Sequence, residues 1–132
     1  MCVLHNWIIV NNETIWEQLD MPRKLEIDTE VIAALAVEHV ANGKDLGELS
    51  ARVFDLCQGV AACAVALPRL GKLCLFSNNG SLYLGTKDGA TYFSSERFPL
   101  EYVGCMNIAE VREGVILDIP VASEDFVVAD RQ

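Results

Sequence analysis

Several groups that could take part in chemistry lie near the start of the chain. Cys2 carries a thiol, His5-Asn6 interrupts an apolar run from Val3 to Val10, and Asp28 begins an acidic turn, Asp28-Thr29-Glu30. Thiols act as nucleophiles, side-chain amides donate hydrogen bonds to developing anions, and carboxylates bind cationic groups. His5 and His39 are far apart in sequence and neither is near a candidate nucleophile. We therefore expect His5 to be structural.

The order of these residues resembles that of the class II glutamine amidotransferases. In that family a strand ending in His-Asn-Gly is followed by Asn, a short helix, and Asp-Thr-Glu at the start of a longer helix. Trp7 replaces the glycine here. Three later segments resemble the family's G-A-Y, S-G-S-P-L-x-x-G and A-S-[DE] segments: Gly59-Val60-Ala61, Asn79 to Gly85, and Phe93 to Glu96. The motifs are most like those of the glutaminase domain of glucosamine-6-phosphate synthases.

The resemblance implies roles for three residues. Asn6 matches the asparagine whose side-chain amide, with the backbone amide of the next residue, here Trp7, stabilises the tetrahedral oxyanion. Asp28 matches the aspartate that contacts the α-amino group of the substrate glutamine. Plainer interpretations stay open, with Asn6 as a satisfied amide in a strand and Asp28 as a helix N-cap.

The family's nucleophile is an N-terminal cysteine whose own amine acts as base, and an arginine for the glutamine carboxylate lies before His-Asn-Gly. Cys2 is a poor candidate for that nucleophile. Cys2 and Asn6 share one predicted strand and would be about 13 Å apart at roughly 3.3 Å per residue, whereas the family places these groups on different strands. We expect Cys2 to be an apolar strand residue, and the chain to resemble a family domain that is incomplete at its N-terminus.

Composition narrows the class of protein. The length of 132 residues predicts a single domain, residues 1–132. A formal net charge of −9 argues against nucleic acid and anionic membranes as partners. The apolar runs are too short to span a bilayer and no signal peptide is evident, so we expect a cytoplasmic protein. Its five cysteines are an odd set without a CxxC pair or neighbouring histidines, so we expect no disulfide framework, metal site or cofactor.

The order of predicted elements indicates an α+β fold. A strand from Val3 to Val10, buried on both faces, precedes a short helix capped by Asn11 or Asn12 and longer helices over Thr29 to about Ala41 and Leu46 to Cys57. An antiparallel meander follows, then one helical turn within Glu96 to Tyr102 and a hairpin over Ile108 to Ile119 with its turn at Arg112-Glu113-Gly114. The meander strands are Val60 to Leu67, Lys72 to Ser77, Leu82 to Thr86 and Thr91 to Ser94. The resemblance implies a layered sandwich of antiparallel sheets and helices, like the N-terminal-nucleophile hydrolases.

The resemblance implies a glutamine amidotransferase-like domain, from a family that hydrolyses glutamine to glutamate and ammonia through a cysteine thioester. We expect the isolated chain to be inactive, with glutamine or a related small molecule as its ligand. Three hypotheses stay open: a fragment of an active amidotransferase, a non-catalytic binding or assembly module descended from the family, and an unrelated α+β binding protein. A homodimer or a partner chain would cover the sheet surface that the incomplete sandwich leaves open.

Overall fold

The computed structural model describes residues 1–6, 9–59, 61–112 and 114–121. Its strands are β1 (Cys2–Asn6), β2 (Ala62–Leu67), β3 (Lys72–Ser77), β4 (Tyr83–Lys87), β5 (Ala90–Ser94), β6 (Met106–Glu110) and β7 (Gly114–Asp118). Its helices are α1 (Asn12–Gln18), α2 (Thr29–Ala41), α3 (Leu49–Leu56) and α4 (Arg97–Tyr102), with a 3₁₀ turn at Leu46–Glu48 before α3. The bounds of β3 and α2 agree with the prediction. Val60, the predicted start of the second strand, and Glu113 lie outside the described residues.

The seven strands form two antiparallel sheets, which makes the predicted single meander wrong. The first sheet has the order β1-β2-β3-β7 and the second the order β5-β4-β6. The predicted final hairpin is also wrong, because β7 pairs with β3 and β6 pairs with β4. Between them Val111 is buried in the apolar cluster that joins the sheets, and its amide donates to the carbonyl of Leu82. The chain therefore crosses from one sheet to the other at this point.

The first sheet lies between two apolar clusters because alternate residues of a strand face opposite sides. Its helix side packs against α1, α2 and α3, in a cluster that includes Ile32, Leu35, Val65 and Phe76. Its other side packs against the second sheet through residues that include Leu75 and Leu82. This arrangement of helices and two antiparallel sheets is the predicted α+β layered fold.

The first strand is buried on one side only, which corrects the prediction of a strand buried on both faces. Val3 packs against the helix-side core, whereas Leu4 is 56% exposed. Leu4 is opposite Ala64, which belongs to the inter-sheet cluster. The described strands of the second sheet thus leave the end of the inter-sheet space open over β1.

The outer face of the second sheet is covered in part by α4, which packs on β4, β5 and β6. Gly85 lies beneath Cys105, the residue that joins α4 to β6, and a Cβ on Gly85 would be 2.9 Å from that of Cys105. The β4–β5 hairpin turns at Asp88-Gly89, between two of the predicted strands, with φ of 50° and 79°. Among the described residues, no helix is long and apolar enough to cross a membrane.

Candidate functional site

Asn6 is the last residue of β1 and lies at the mouth of a groove between the two sheets. It is opposite Ala62 of β2, which belongs to the inter-sheet cluster, so the Asn6 side chain faces the same side. The groove has a volume of about 280 Å³. We call it the inter-sheet groove; its lining includes Leu4, Asn6, Ala62, Ser81, Phe93 and Ser95. The groove therefore joins Asn6 to the two later segments of the resemblance, around Ser81 and Ser94-Ser95.

Asp28 occupies the N-cap position of α2, as the plainer interpretation predicts, but its side chain makes no capping hydrogen bond. Instead, Asp28 Oδ2 accepts a hydrogen bond of 2.9 Å from the backbone amide of Ile9. The chain that leaves β1 presents a buried amide to this carboxylate, since Ile9 is 1% exposed. Asp28 thereby connects the start of α2 to the segment that follows Asn6, and its side chain stays 24% exposed.

His5 provides a second connection between β1 and the start of α2. Its Nδ1 lies 3.3 Å from Thr29 Oγ1 and 3.9 Å from Asp28 Oδ1. The side chain is 1% exposed, on the opposite side of β1 from Asn6, and faces α2. Burial lowers the pKa of His5 below its ordinary value, against the opposing influence of the Asp28 carboxylate. His5 is therefore mainly neutral at pH 7, beside a carboxylate whose side chain is partly exposed.

Asparagines hold the segments around this strand end. The predicted side-chain cap on α1 is absent: Asn11 instead accepts from the amide of Gln58 and donates to the carbonyl of Leu56, while Asn12 donates to the carbonyl of Ile9. These bonds fix the chain after β1 against the end of α3. The sequence pattern identified the residues but gave the wrong partners, because an asparagine can bond distant backbone as well as its own helix.

The turn after β3 is held by a separate amide network. Asn78 accepts from the amide of Ala61 and donates to the carbonyl of Gly59, which joins the end of β3 to the approach to β2. Asn79 Oδ1 accepts from the hydroxyl of Ser77 and from both the amide and the hydroxyl of Ser81. This network places Ser81 on the inter-sheet groove, near the strand end that carries Asn6.

The cysteines lie in different surroundings. The structure places Cys2 and Asn6 at the two ends of β1. Burial raises the pKa of Cys57 to about 11 and that of Cys63 to about 12, and it also raises the pKa of Cys74. Since the thiolate is the nucleophile, the raised pKa makes these three thiols less nucleophilic than an exposed thiol at neutral pH. Trp7, the second predicted oxyanion position, lies outside the described residues.

A second cavity lies on the helix side of the first sheet, between α3, β3 and β7. It has a volume of about 500 Å³, and its lining includes Leu46, Phe54, Ile116 and Arg112. Of the predicted site residues that the structure describes, Cys2, Asn6 and Asp28, none borders it. Within the described ranges, no group of three or more His, Cys, Asp or Glu residues could hold a metal ion.

Known proteins share both the sequence pattern and the fold. No protein-family model matches the chain. Over 105 residues, the chain is 32% identical to the glutamine–fructose-6-phosphate aminotransferase (isomerizing) of Zymomonas mobilis, an alignment that covers 76% of this chain and 17% of the relative. Two solved structures are similar in fold, each with a TM-score of 0.73 and 21% identity over 88% of this chain and 26% of theirs. They are the glutamine phosphoribosylpyrophosphate amidotransferase of B. subtilis with ADP and GMP, and an allosteric regulatory enzyme of purine biosynthesis.

The two-sheet fold is similar to that of the glutamine phosphoribosylpyrophosphate amidotransferase of B. subtilis. Together with the similarity in sequence, it supports the predicted glutamine amidotransferase-like domain. The chain spans less than a fifth of the aminotransferase and about a quarter of each amidotransferase. The predicted family resemblance and fold class are thereby confirmed.

Proposed function

We propose that residues 1–132 act as one domain that binds glutamine beside Asn6 and Asp28 and that, as this chain alone, does not hydrolyse it. One observation supports the lack of turnover more than any other. Cys2 and Asn6 occupy opposite ends of the same strand, so the thiol and the amide are about 13 Å apart at roughly 3.3 Å per residue. A nucleophile and an oxyanion donor must meet within hydrogen-bonding distance of one carbonyl group.

In this proposal the Asp28 carboxylate binds the α-ammonium group of glutamine, which it reaches through its partly exposed side chain. Oδ2 is already bonded to the Ile9 amide, which leaves Oδ1 for the ligand. The side-chain amide of Asn6 and the backbone amide of Trp7 would donate to the oxygen of the side-chain carboxamide. A bound glutamine would thus have its two ends held by the start of α2 and by the end of β1.

The test has two measurements on the same preparation. Ammonia release is assayed after the mature N-terminus is confirmed by mass spectrometry, and glutamine binding is measured by calorimetry. We expect binding without turnover, because binding and oxyanion contacts remain when a covalent nucleophile is absent. Turnover that is abolished by Cys2→Ala would make Cys2 the nucleophile and overturn the proposed inactivity. Absence of any glutamine binding would overturn the proposed ligand.

A second candidate function, a non-catalytic assembly module, is favoured by the exposure of β1. Leu4 is 56% exposed on the open side of this strand, and large apolar side chains on a sheet edge are common at interfaces. A homodimer, or a partner chain at the same place, would cover Leu4.

The five cysteines are all free thiols, which fits a cytoplasmic location.

A further inference from the structure

The two ring nitrogens of His5 have unequal surroundings. Nδ1 lies 3.3 Å from the Thr29 hydroxyl and 3.9 Å from Asp28 Oδ1. Nε2 is buried and has no hydrogen-bond partner among the described residues. A phenylalanine ring would fill similar space without an unpaired nitrogen. The contribution specific to the imidazole is therefore what Nδ1 supplies to Thr29 and Asp28.

The position of the ring proton follows from these neighbours. A neutral imidazole carries its proton on one nitrogen, and the other nitrogen can only accept. An ionised carboxylate can only accept, so it favours an N–H group that points towards it. These neighbours favour the tautomer with the proton on Nδ1, from which it would be donated to Thr29 Oγ1 with its positive end towards Asp28 Oδ1. Nε2 is left as a buried acceptor.

We propose that His5 is a positioning residue, which uses the Nδ1 proton to hold the ionised Asp28 carboxylate at the end of β1. One hydrogen bond and one longer electrostatic contact then fix the carboxylate in a direction that a free side chain would not keep: the Ile9 amide donates to Oδ2, and the His5 dipole faces Oδ1 from 3.9 Å. The ligand role of Asp28 rests on the proposed function. The orientation of Asp28 does not, and it can be measured without any ligand.

The first experiment reads the tautomer of His5 in the unaltered protein. Two-bond correlations between ring protons and ring nitrogens at pH 7.5 distinguish the two neutral tautomers. We expect the Nδ1–H form at His5. A predominant Nε2–H form would overturn the proposal, because no proton would then point towards Asp28. This measurement requires no variant and is independent of glutamine.

The second experiment compares His5→Phe with His5→Asn, whose amide nitrogen can take the place of Nδ1–H. The readouts are hydrogen exchange at the Ile9 amide, which donates to Asp28, and glutamine affinity. We expect His5→Phe to speed Ile9 exchange and to weaken glutamine binding by about tenfold each, because the carboxylate loses the dipole that orients it. We expect His5→Asn to stay within about threefold. His39→Asn is the matched control, since His39 is also buried but bonds the carbonyl of Asp45.

Each outcome has a distinct meaning. Unchanged Ile9 exchange in His5→Phe overturns the positioning role, as does an equal loss in His39→Asn, which would point to general destabilisation. If His5→Phe does not fold, the comparison of His5→Asn with Thr29→Val replaces it. Removal of the Thr29 hydroxyl should leave the Nδ1 proton to Asp28, so affinity stays within about threefold. If the unaltered protein binds no glutamine, the proposed function fails, and the tautomer and Ile9 exchange still decide the orientation of Asp28.

Discussion

At the scale of single residues, Asp28 differs most from what its position in sequence predicts. An aspartate just before a helix predicts a cap, yet its carboxylate bonds the amide of Ile9 instead. Residue preferences at helix N-termini favour the cap, because they reflect only the hydrogen bonds that an aspartate can make to the amides next to it in sequence. The residue itself was identified by its place in the acidic turn, but its partner depends on the fold, which brings the end of β1 beside α2.

Substitutions of Asp28 separate its part in the fold from a part in binding. Asp28→Ala leaves the buried Ile9 amide without an acceptor and should lower the free energy of unfolding by about 1–3 kcal/mol. Asp28→Asn keeps an acceptor oxygen and should cost less than about 1 kcal/mol. Glutamine should raise the melting temperature of the unaltered protein but not of Asp28→Asn, because the charge is lost.

Asp45→Asn is the control for these substitutions, since Asp45 caps the 3₁₀ turn by accepting from Gly47 and borders neither Asn6 nor the inter-sheet groove. It should retain the response to glutamine. An Asp28→Asn variant that is still stabilised by glutamine would show that the carboxylate is not part of the ligand site.

The lowered pKa of His5 predicts how stability depends on pH. The ordinary pKa is 6.5, and burial lowers it in the folded protein. Between the two values the unfolded chain binds more protons, so the free energy of unfolding falls as the pH falls from about 6.5 towards the folded pKa. Asp28 and Cys63 are the ionisable groups beside the ring.

Urea denaturation of the unaltered protein and of His5→Asn from pH 8 to pH 5 checks this prediction. The difference between the two proteins should be constant above about pH 7.5 and should decrease below about pH 6.5. Parallel curves over the whole range would mean that His5 does not titrate as its burial predicts.

At the scale of elements, the sequence predicts the positions of strands and helices better than it predicts which strands pair with each other. The bounds of α2 follow from the apolar spacing after Asp28, and the β4–β5 turn follows from Asp88-Gly89, two residues suited to positive φ. Pairing is different, because β6 and β7 are consecutive and are separated by a plausible turn, which locally favours a hairpin. The burial of Val111 between the sheets directs them to different partners, and no local pattern reveals it.

A substitution at Gly85 tests whether β6 pairs with β4 beneath α4. A Cβ at this position would be 2.9 Å from Cys105 Cβ and 3.2 Å from Ile108 Cγ1. Gly85→Ala should therefore lower the free energy of unfolding by about 1–3 kcal/mol. Gly47→Ala is the control, because the nearest atom to its Cβ would be 3.6 Å away. Equal stabilities in urea denaturation would contradict the packing of Cys105 over β4.

At the scale of the whole molecule, exposed β1 predicts self-association. A homodimer with β1 at its interface would cover Leu4, and Leu4→Lys would place a charge there. Sedimentation at micromolar concentration should show a dimer for the unaltered protein and a monomer for Leu4→Lys. Val37→Lys is the control, because Val37 is 46% exposed on α2. A monomeric unaltered protein that fails to bind a hydrophobic dye would contradict the dimer.

The crossing between the sheets also has a consequence for the order of folding events. Because β3 pairs with β7, the second sheet and α4 form one long excursion of the chain between two neighbouring strands. Closing so long a loop has a large entropic cost while the loop is unstructured, and a smaller one once β4, β5 and β6 have shortened it. We therefore expect β7 to join the first sheet late, so that refolding monitored by hydrogen-exchange labelling protects Leu84 before Ile116.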